Sequence, residues 1–104
     1  MARSYKVIVS PRASGDLSQI YEYIALDSPE NAAKFLQTLV EAIDSLALLP
    51  SRHPLIEARP RIKRETRAMP VSPYLIYYHI LEAQGAVRVV TVRHGARRQP
   101  RRFA

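Results

Sequence analysis

The spacing of apolar residues changes twice along the chain. Residues 5–9 are mostly β-branched or aromatic and predict a short strand. In residues 13–24, and again in residues 32–49, apolar side chains recur every three or four positions, which is the spacing of one face of an α-helix. The first half of the chain is therefore predicted to be one strand followed by two helices.

Both helices carry a start signal in the form of a Ser-Pro pair. Ser10-Pro11 and Ser28-Pro29 each offer a capping hydroxyl followed by a proline, whose missing N–H has no partner in a first helical turn anyway. The second helix is predicted to span residues 29–49 and to stop at Pro50. Because only residues 26–28 separate the helices, we expect an antiparallel helical hairpin.

The segment after Pro50 carries fewer regular signals. Residues 51–64 are interpreted as an irregular basic connector. A strand is predicted from about Glu65 to Met69. Pro70 and Pro73 indicate that this strand ends early or lies at the edge of a sheet, where a missing N–H breaks no ladder hydrogen bond.

The end of the chain is strongly strand-like. Residues 74–81 are apolar on both faces, as in a central strand, and residues 86–94 return after a turn at Gln84-Gly85. The predicted order is β-α-α-β-β-β. It indicates an α+β fold in which the N-terminal helical hairpin packs on one face of an antiparallel sheet. We expect a single domain over residues 1–104, with a basic tail at residues 95–104.

Charge is divided unevenly between the halves of the chain. Residues 1–50 hold four Lys and Arg against six Asp and Glu, a net −2, and residues 51–104 hold twelve against three, a net +9, giving +7 for the chain. The basic residues of the second half lie mainly in the connector and the tail. Such asymmetry predicts an anionic partner for the second half.

Composition excludes several kinds of chemistry. The chain has no cysteine, which rules out disulfides, thiolate metal sites and a cysteine nucleophile. Its three histidines do not have the spacing of metal ligands, so we predict neither a metal nor a cofactor. No stretch approaches the ~20 apolar residues of a membrane span, and no signal-peptide pattern follows Met1. We expect a cytoplasmic protein with no membrane partner.

Three groups of residues occur in an order and spacing typical of one known superfamily. They are Val9–Ala13 with Asp16-Leu17, Ile20 and Tyr23–Ala25; Asn31–Ala33 with Ala42-Ile43, Leu46 and Pro50; and Tyr74–Tyr78 with Val90–Arg97. In these groups the chain resembles, over nearly its whole length, the ParE/RelE superfamily of bacterial toxins from type II toxin–antitoxin operons.

The resemblance implies one of two mechanisms. Toxins of the RelE type are endonucleases that cut mRNA in the ribosome. Toxins of the ParE type are non-enzymatic as far as is known, and several of them inhibit DNA gyrase. Both types are held inactive by a cognate antitoxin whose extended C-terminal segment wraps the toxin.

Three details favour the ParE type. RelE-like nucleases place an arginine directly after the aromatic residue that opens the central strand, and here that position is Leu75. They also tend to carry a Tyr, or a His with a Tyr, near the C-terminus, whereas this chain has neither after His94. The sequence His94-Gly95-Ala96-Arg97 is itself more similar to the ParE type.

A nuclease would need a base, an acid and a cation at the scissile phosphate. Glu65 is the candidate base, His94 or His79 the acid, and Arg67 or Arg93 the cation. In the simpler interpretation, Glu65 is a solvated edge residue, His79 pairs across the sheet and His94 caps a strand end. We therefore assign no catalytic residue, and Glu65, Arg67, Arg93 and His94 form the set for the nuclease alternative.

The favoured hypothesis is a ParE-type toxin that binds and inhibits DNA gyrase. The expected target-binding residues are Arg93, His94, Arg97, Arg98, Arg101 and Arg102. The expected antitoxin-binding residues are Arg59, Arg61, Lys63, Arg64, Arg67 and Tyr74. The alternatives are a RelE-type endonuclease that acts on ribosome-bound mRNA and a toxin relic that retains only antitoxin binding.

Overall fold

The structure is a computed structural model that describes residues 4–53, 55–59 and 64–95. Its elements are β1 (Lys6–Val9), α1 (Pro11–Ala25), α2 (Pro29–Asp44), β2 (Leu55–Arg59), β3 (Arg64–Val71), β4 (Tyr74–Leu81) and β5 (Ala86–His94). Short 3-10 turns occupy Ser45–Ala47, Pro50–Arg52 and Glu82–Gln84.

Both helices begin as the Ser-Pro pairs predict. The Ser10 hydroxyl accepts a hydrogen bond from the N–H of Ala13 at 3.0 Å, and the Ser28 hydroxyl accepts one from the N–H of Asn31 at 3.2 Å. Each cap satisfies a backbone donor that has no partner within the helix. The predicted helical hairpin is confirmed, with residues 26–28 as its link.

The predicted end of the second helix was wrong. α2 stops at Asp44, five residues before the expected end, because the chain turns toward the sheet there. The carbonyl of Ala47 accepts a hydrogen bond from the N–H of Tyr5 at 2.8 Å, and Leu48 bridges to Ser4. Backbone groups of Ala47 and Leu48 that pair with Tyr5 and Ser4 are not available for hydrogen bonds within an α-helix.

The sheet has five strands in the order β1-β5-β4-β3-β2. The α+β class and the hairpin-on-sheet arrangement are confirmed, and β4 is the central strand as predicted. The expectation of a wholly antiparallel sheet was wrong at one pairing, since β1 runs parallel to β5, with Lys6 opposite Ala86 and Val9 opposite Val89. β1 therefore lies beside β5, the strand that carries His94.

The description of residues 51–64 as an irregular connector was also wrong for residues 55–59. Leu55–Arg59 forms β2, which pairs antiparallel with β3, so that Leu55 lies opposite Arg67 and Arg59 opposite Arg64. The strand is short and contains a register shift between Leu55 and Glu57. A five-residue run without alternating polarity carries little strand signal on its own, so its pairing with β3 decides the outcome.

Strand β3 continues through Pro70, so an early end at Met69 was wrong, whereas the alternative, an edge position, holds for this part of the strand. Pro70 lies opposite Leu75 of β4, whereas the pairing with β2 is confined to the part of β3 up to Arg67. Among the described residues, the second half of β3 therefore pairs with β4 alone. Proline is tolerated there because one side of the strand has no ladder to break.

The core lies between the helical hairpin and one face of the sheet. Its fully or almost fully buried members are Ala13, Ile20, Leu39, Ile43, Leu46, Met69, Tyr74, Ile76, Tyr78, Val87, Val89 and Val92. Burial of each large aliphatic or aromatic side chain contributes about 1.5–3 kcal/mol relative to exposure. Tyr74 and Tyr78 share this face, as predicted, whereas Tyr77 lies opposite Ala68 and Thr91 outside the cluster.

Candidate functional site

The end of β5 carries the first two residues expected to contact a target. His94 lies opposite Tyr74, and its ring meets the Tyr74 ring edge-on with centroids 5.1 Å apart. Tyr74 in turn packs against Phe35 of α2 at 5.6 Å. His94 is therefore half-buried on the helix side of the sheet, and Tyr74, expected to bind the antitoxin, is mostly a core residue.

Arg93 lies on the opposite face of the sheet, because consecutive residues in a strand alternate between faces. It is half-buried and lies opposite Leu75. Burial raises the pKa of the neighbouring Tyr77 hydroxyl, and the positive charge of Arg93 partly opposes that rise. Leu75 thus places an apolar side chain opposite Arg93, at the position where a RelE-like nuclease is expected to carry an arginine.

Gly95 directly follows the last residue of β5 and lies against the turn between β3 and β4. Its N–H donates to the carbonyl of Pro73 at 2.7 Å. A Cβ at this position would lie 3.2 Å from the same carbonyl oxygen and in contact with Leu75. The close approach of the two backbones accounts for the glycine.

Arg67 has a structural role that sequence reasoning did not assign. Its guanidinium donates to the carbonyls of Ser51 at 3.1 Å and His53 at 2.7 Å. The Tyr78 hydroxyl donates to the carbonyl of Pro50. Two side chains of the sheet thereby hold residues 50–53 in place.

The four residues of the nuclease alternative are not brought together. Arg67 lies opposite Tyr78 and His94 opposite Tyr74, four positions apart on β4 and thus about 13 Å apart along the strand. Glu65 is exposed two residues further along β3, away from His94. Arg93 is at the His94 end but on the other face. No base, acid and cation converge among these four side chains.

His79 has a hydrogen-bond partner on the neighbouring strand. Thr66 Oγ1 and His79 Nε2 are joined by a 3.2 Å hydrogen bond between β3 and β4. The interpretation of His79 as a residue that pairs across the sheet is confirmed.

The two predicted basic groups begin at different ends of the sheet. Arg59 and Arg64 are paired in register at the end of the β2–β3 pair, about six positions, or ~20 Å, from Arg93 along the strand direction. Apart from Arg67, the remaining assigned basic residues lie outside the described residues: Arg61, Lys63, Arg97, Arg98, Arg101 and Arg102. The described parts of the two groups do not form one patch.

Sequence reasoning missed the unusual backbone of the segment after α2. Leu49 has φ 49°, in the left-handed region, where a residue with a Cβ loses about 1–2 kcal/mol. Its side chain is 64% exposed, and that of Leu48 is 51% exposed. The Leu-Leu-Pro sequence was the available signal, since a residue before proline avoids the right-handed helical region.

His53 is the second feature that the sequence did not reveal. Its Nε2 is buried and has no hydrogen-bond partner, and its ring lies edge-on to Tyr78 with centroids 6.3 Å apart. Burial, assisted by the charge of Arg52, lowers the pKa of His53 below its ordinary value. The surroundings of His53 therefore favour the neutral form of its imidazole.

Neither a metal site nor a membrane span emerges from the described ranges. Within residues 4–53, 55–59 and 64–95, no group of three or more His, Cys, Asp or Glu side chains could hold a metal ion. No helix there is long and apolar enough to cross a bilayer.

Comparison with known proteins identifies the family of the chain. A model of the family described as "ParE toxin of type II toxin-antitoxin system, parDE" matches residues 7–99. The chain is 38% identical over 92 residues to a protein of Caulobacter vibrioides named Toxin RelE2, covering 88% of this chain and 97% of that protein.

Two solved structures share the fold. A chromosomal ParDE system from P. aeruginosa superposes with a TM-score of 0.70 at 19% identity, covering 88% of this chain and 97% of the other. The RelBE2 toxin–antitoxin complex from Mycobacterium tuberculosis gives 0.62 at 22% identity, covering 88% and 91%. With the family match across most of its length, the chain belongs to the ParE toxin family of type II toxin–antitoxin systems, within the ParE/RelE superfamily.

Proposed function

We propose that this toxin is of the ParE type: a protein that inhibits DNA gyrase by binding it and is neutralised by a cognate antitoxin. The observation that carries the proposal is the separation of Glu65, Arg67, Arg93 and His94 over two ends and two faces of the sheet. Cleavage of RNA at the 2′-hydroxyl needs such groups within hydrogen-bond reach of one phosphate. Their separation supports a binding function over a nuclease.

The end of β5 is the proposed target-contacting region. Arg93 and His94 are held there by the ladder with β4 and by the Tyr74 ring. Arg97, Arg98, Arg101 and Arg102 follow them closely in the sequence, so positive charge is concentrated after this strand end. Concentrated positive charge speeds encounter with an acidic protein surface. The family match to ParE toxins is in line with a protein target.

The antitoxin is the second proposed partner. Both structural neighbours are described as members of toxin–antitoxin systems, and one of them is a toxin–antitoxin complex. A chain with net charge +7 would be complemented by an acidic binding segment. We expect its gene to adjoin that of the toxin and to encode an acidic segment behind a DNA-binding part.

Supercoiling of relaxed plasmid by purified gyrase tests the proposal directly. The toxin is expected to block supercoiling, and the adjoining gene's product, added first, should prevent the block. Full supercoiling at a large molar excess of folded toxin would contradict the gyrase assignment.

A RelE-type endonuclease is the second candidate, favoured by the name of the 38% identical relative, Toxin RelE2. It predicts codon-placed cuts in mRNA on translating ribosomes and none in free mRNA. In that case His94→Ala should abolish cleavage while the protein remains folded. Growth unaffected by expression of the toxin alone would instead favour the relic.

A further inference from the structure

Leu48 and Leu49 form an exposed apolar pair at the point where the chain passes from α2 to the sheet. Their side chains are 51% and 64% exposed. Single exposed leucines are common on protein surfaces, whereas two exposed leucines in succession concentrate apolar area at one place in the fold. We refer to Leu48 and Leu49 as the leucine pair.

The backbone that carries the leucine pair is fixed from several sides. Arg52 Nη1 donates to the carbonyl of Leu48 at 2.7 Å, and the N–H of Arg52 donates to the carbonyl of Leu49 at 3.1 Å. Arg52 Nη2 donates to the Ser45 hydroxyl at 3.0 Å, and the Tyr78 hydroxyl holds Pro50. A surface fixed before binding loses little conformational entropy when a partner docks.

The choice of leucine at position 49 is not explained by the fold. Pro50 disfavours the right-handed helical region at the preceding residue, and Leu49 adopts the left-handed one. Glycine or asparagine adopts that conformation more readily and would avoid exposing an apolar side chain. The chain carries leucine where both the backbone and the solvent favour another residue, which is a feature of functional surfaces.

We propose that the leucine pair is a docking point for an acidic segment of the antitoxin that also carries apolar side chains. The exposed Arg52 lies beside the pair and donates to the carbonyl of Leu48, so a carboxylate of an acidic segment is complementary to this surface. An apolar side chain of the segment covers the leucines, and a carboxylate faces the Arg52 guanidinium. This inference rests on the proposed function, because it requires a toxin with an antitoxin.

Leu49→Asn separates binding from stability. Asparagine tolerates the left-handed conformation, so the melting temperature is expected to stay equal or rise. Removal of the apolar contact is expected to weaken binding about tenfold or more. The probe is the purified product of the adjoining gene, titrated into folded toxin by calorimetry.

Leu26→Asn is the matched control. Leu26 is 87% exposed but has ordinary right-handed backbone at the end of α1, so its substitution should leave affinity unchanged. If Leu49→Asn proves unstable, Leu48→Gln decides instead, because Leu48 has ordinary extended backbone.

The outcomes distinguish the two proposals. Wild-type affinity in both variants, with a wild-type toxin that binds the adjoining gene's product, would overturn the docking point and leave the proposed function intact. An equal loss of affinity from Leu26→Asn would overturn the specific role of the pair. A wild-type toxin that neither binds this product nor arrests growth would overturn both.

Discussion

Asp16 in α1 accepts a hydrogen bond through its Oδ2 atom from the backbone N–H of Val92 in β5, at 3.0 Å. The same oxygen accepts the hydroxyl of Thr91. The ladder between β1 and β5 ends at Val89, so this carboxylate takes the place of a strand beyond that point. α1 is thereby tied to the edge of the strand that carries His94.

Ser10 completes this edge. Its N–H donates to the carbonyl of Val89 at 3.0 Å, and its hydroxyl donates to the carbonyl of Val90 at 2.9 Å while accepting the N–H of Ala13. One small buried side chain thus caps α1 and extends the pairing of β5. The start of α1 and the end of β5 are held as one unit.

Asp16→Ala is expected to lower the free energy of unfolding by about 1–3 kcal/mol, because the partly buried Val92 N–H and Thr91 hydroxyl lose their acceptor. Urea denaturation followed by circular dichroism measures this change. Asp27→Ala, at the exposed turn between the helices, is the control and should change stability by less than about 0.5 kcal/mol. Equal effects from both substitutions would contradict the role assigned to Asp16.

Local patterns predicted those parts of the fold that depend on local chemistry. The Ser10 and Ser28 caps, β4 and β5 follow from capping residues and from runs long enough to show their period. The boundary of α2 and the existence of β2 depend on partners far away in sequence, such as Tyr5 for Ala47 and Arg67 for Leu55. No spacing along the chain carries that information.

The candidate site was predictable to a similar degree. The position of Arg93 and His94 at the end of a strand follows from the pattern, and their opposite faces follow from strand geometry. The link of Arg67 to the carbonyls of Ser51 and His53 does not, because it requires knowledge of how the segment after α2 packs against β3. The left-handed Leu49 had only a partial signal in Pro50, which disfavours the right-handed helical region before it but does not choose between extended and left-handed backbone.

Gly15→Ala is expected to stabilise the protein by about 0.5–1 kcal/mol, because glycine in a helix interior costs backbone entropy relative to alanine. A Cβ at Gly15 of α1 would meet nothing within 4 Å. Thermal unfolding should show a higher Tm. Gly85→Ala is the opposing control, since Gly85 has φ 60° and an added Cβ there is strained; a rise in Tm for this variant would contradict the argument.

His53 is expected to make stability depend on pH. Its pKa is lowered in the folded state by burial and by Arg52, so the unfolded chain takes up the proton first, at its ordinary pKa of 6.5. The contribution of neutral His53 is complete above that value and is lost as pH falls from there through the lower folded pKa. Urea denaturation at about pH 7.5 and at about pH 5.5 measures the difference.

His53→Gln is the variant that isolates the contribution of His53 to the pH dependence of stability. It removes the titrating ring and leaves the backbone carbonyl that accepts from Arg67. The loss of stability between the two pH values should be smaller than in the wild type. His79→Gln, which alters a histidine hydrogen-bonded to Thr66, serves as the comparison, and an unchanged pH dependence in His53→Gln would refute the assignment.

Deletion of residues 97–104 is expected to reduce toxicity and leave the fold intact. The contacts described for the last part of the chain, from the Tyr74–His94 rings to the hydrogen bond of Gly95 with Pro73, all precede the deletion. The deletion removes Arg97, Arg98, Arg101 and Arg102, and with them most of the charge proposed to contact the target. Growth after induction measures toxicity, and Tm reports on the fold.

A full-length variant with glutamine at these four positions should behave in the same way, because charge is the proposed cause. A truncated toxin that arrests growth as strongly as the wild type would place the target contact elsewhere on the sheet.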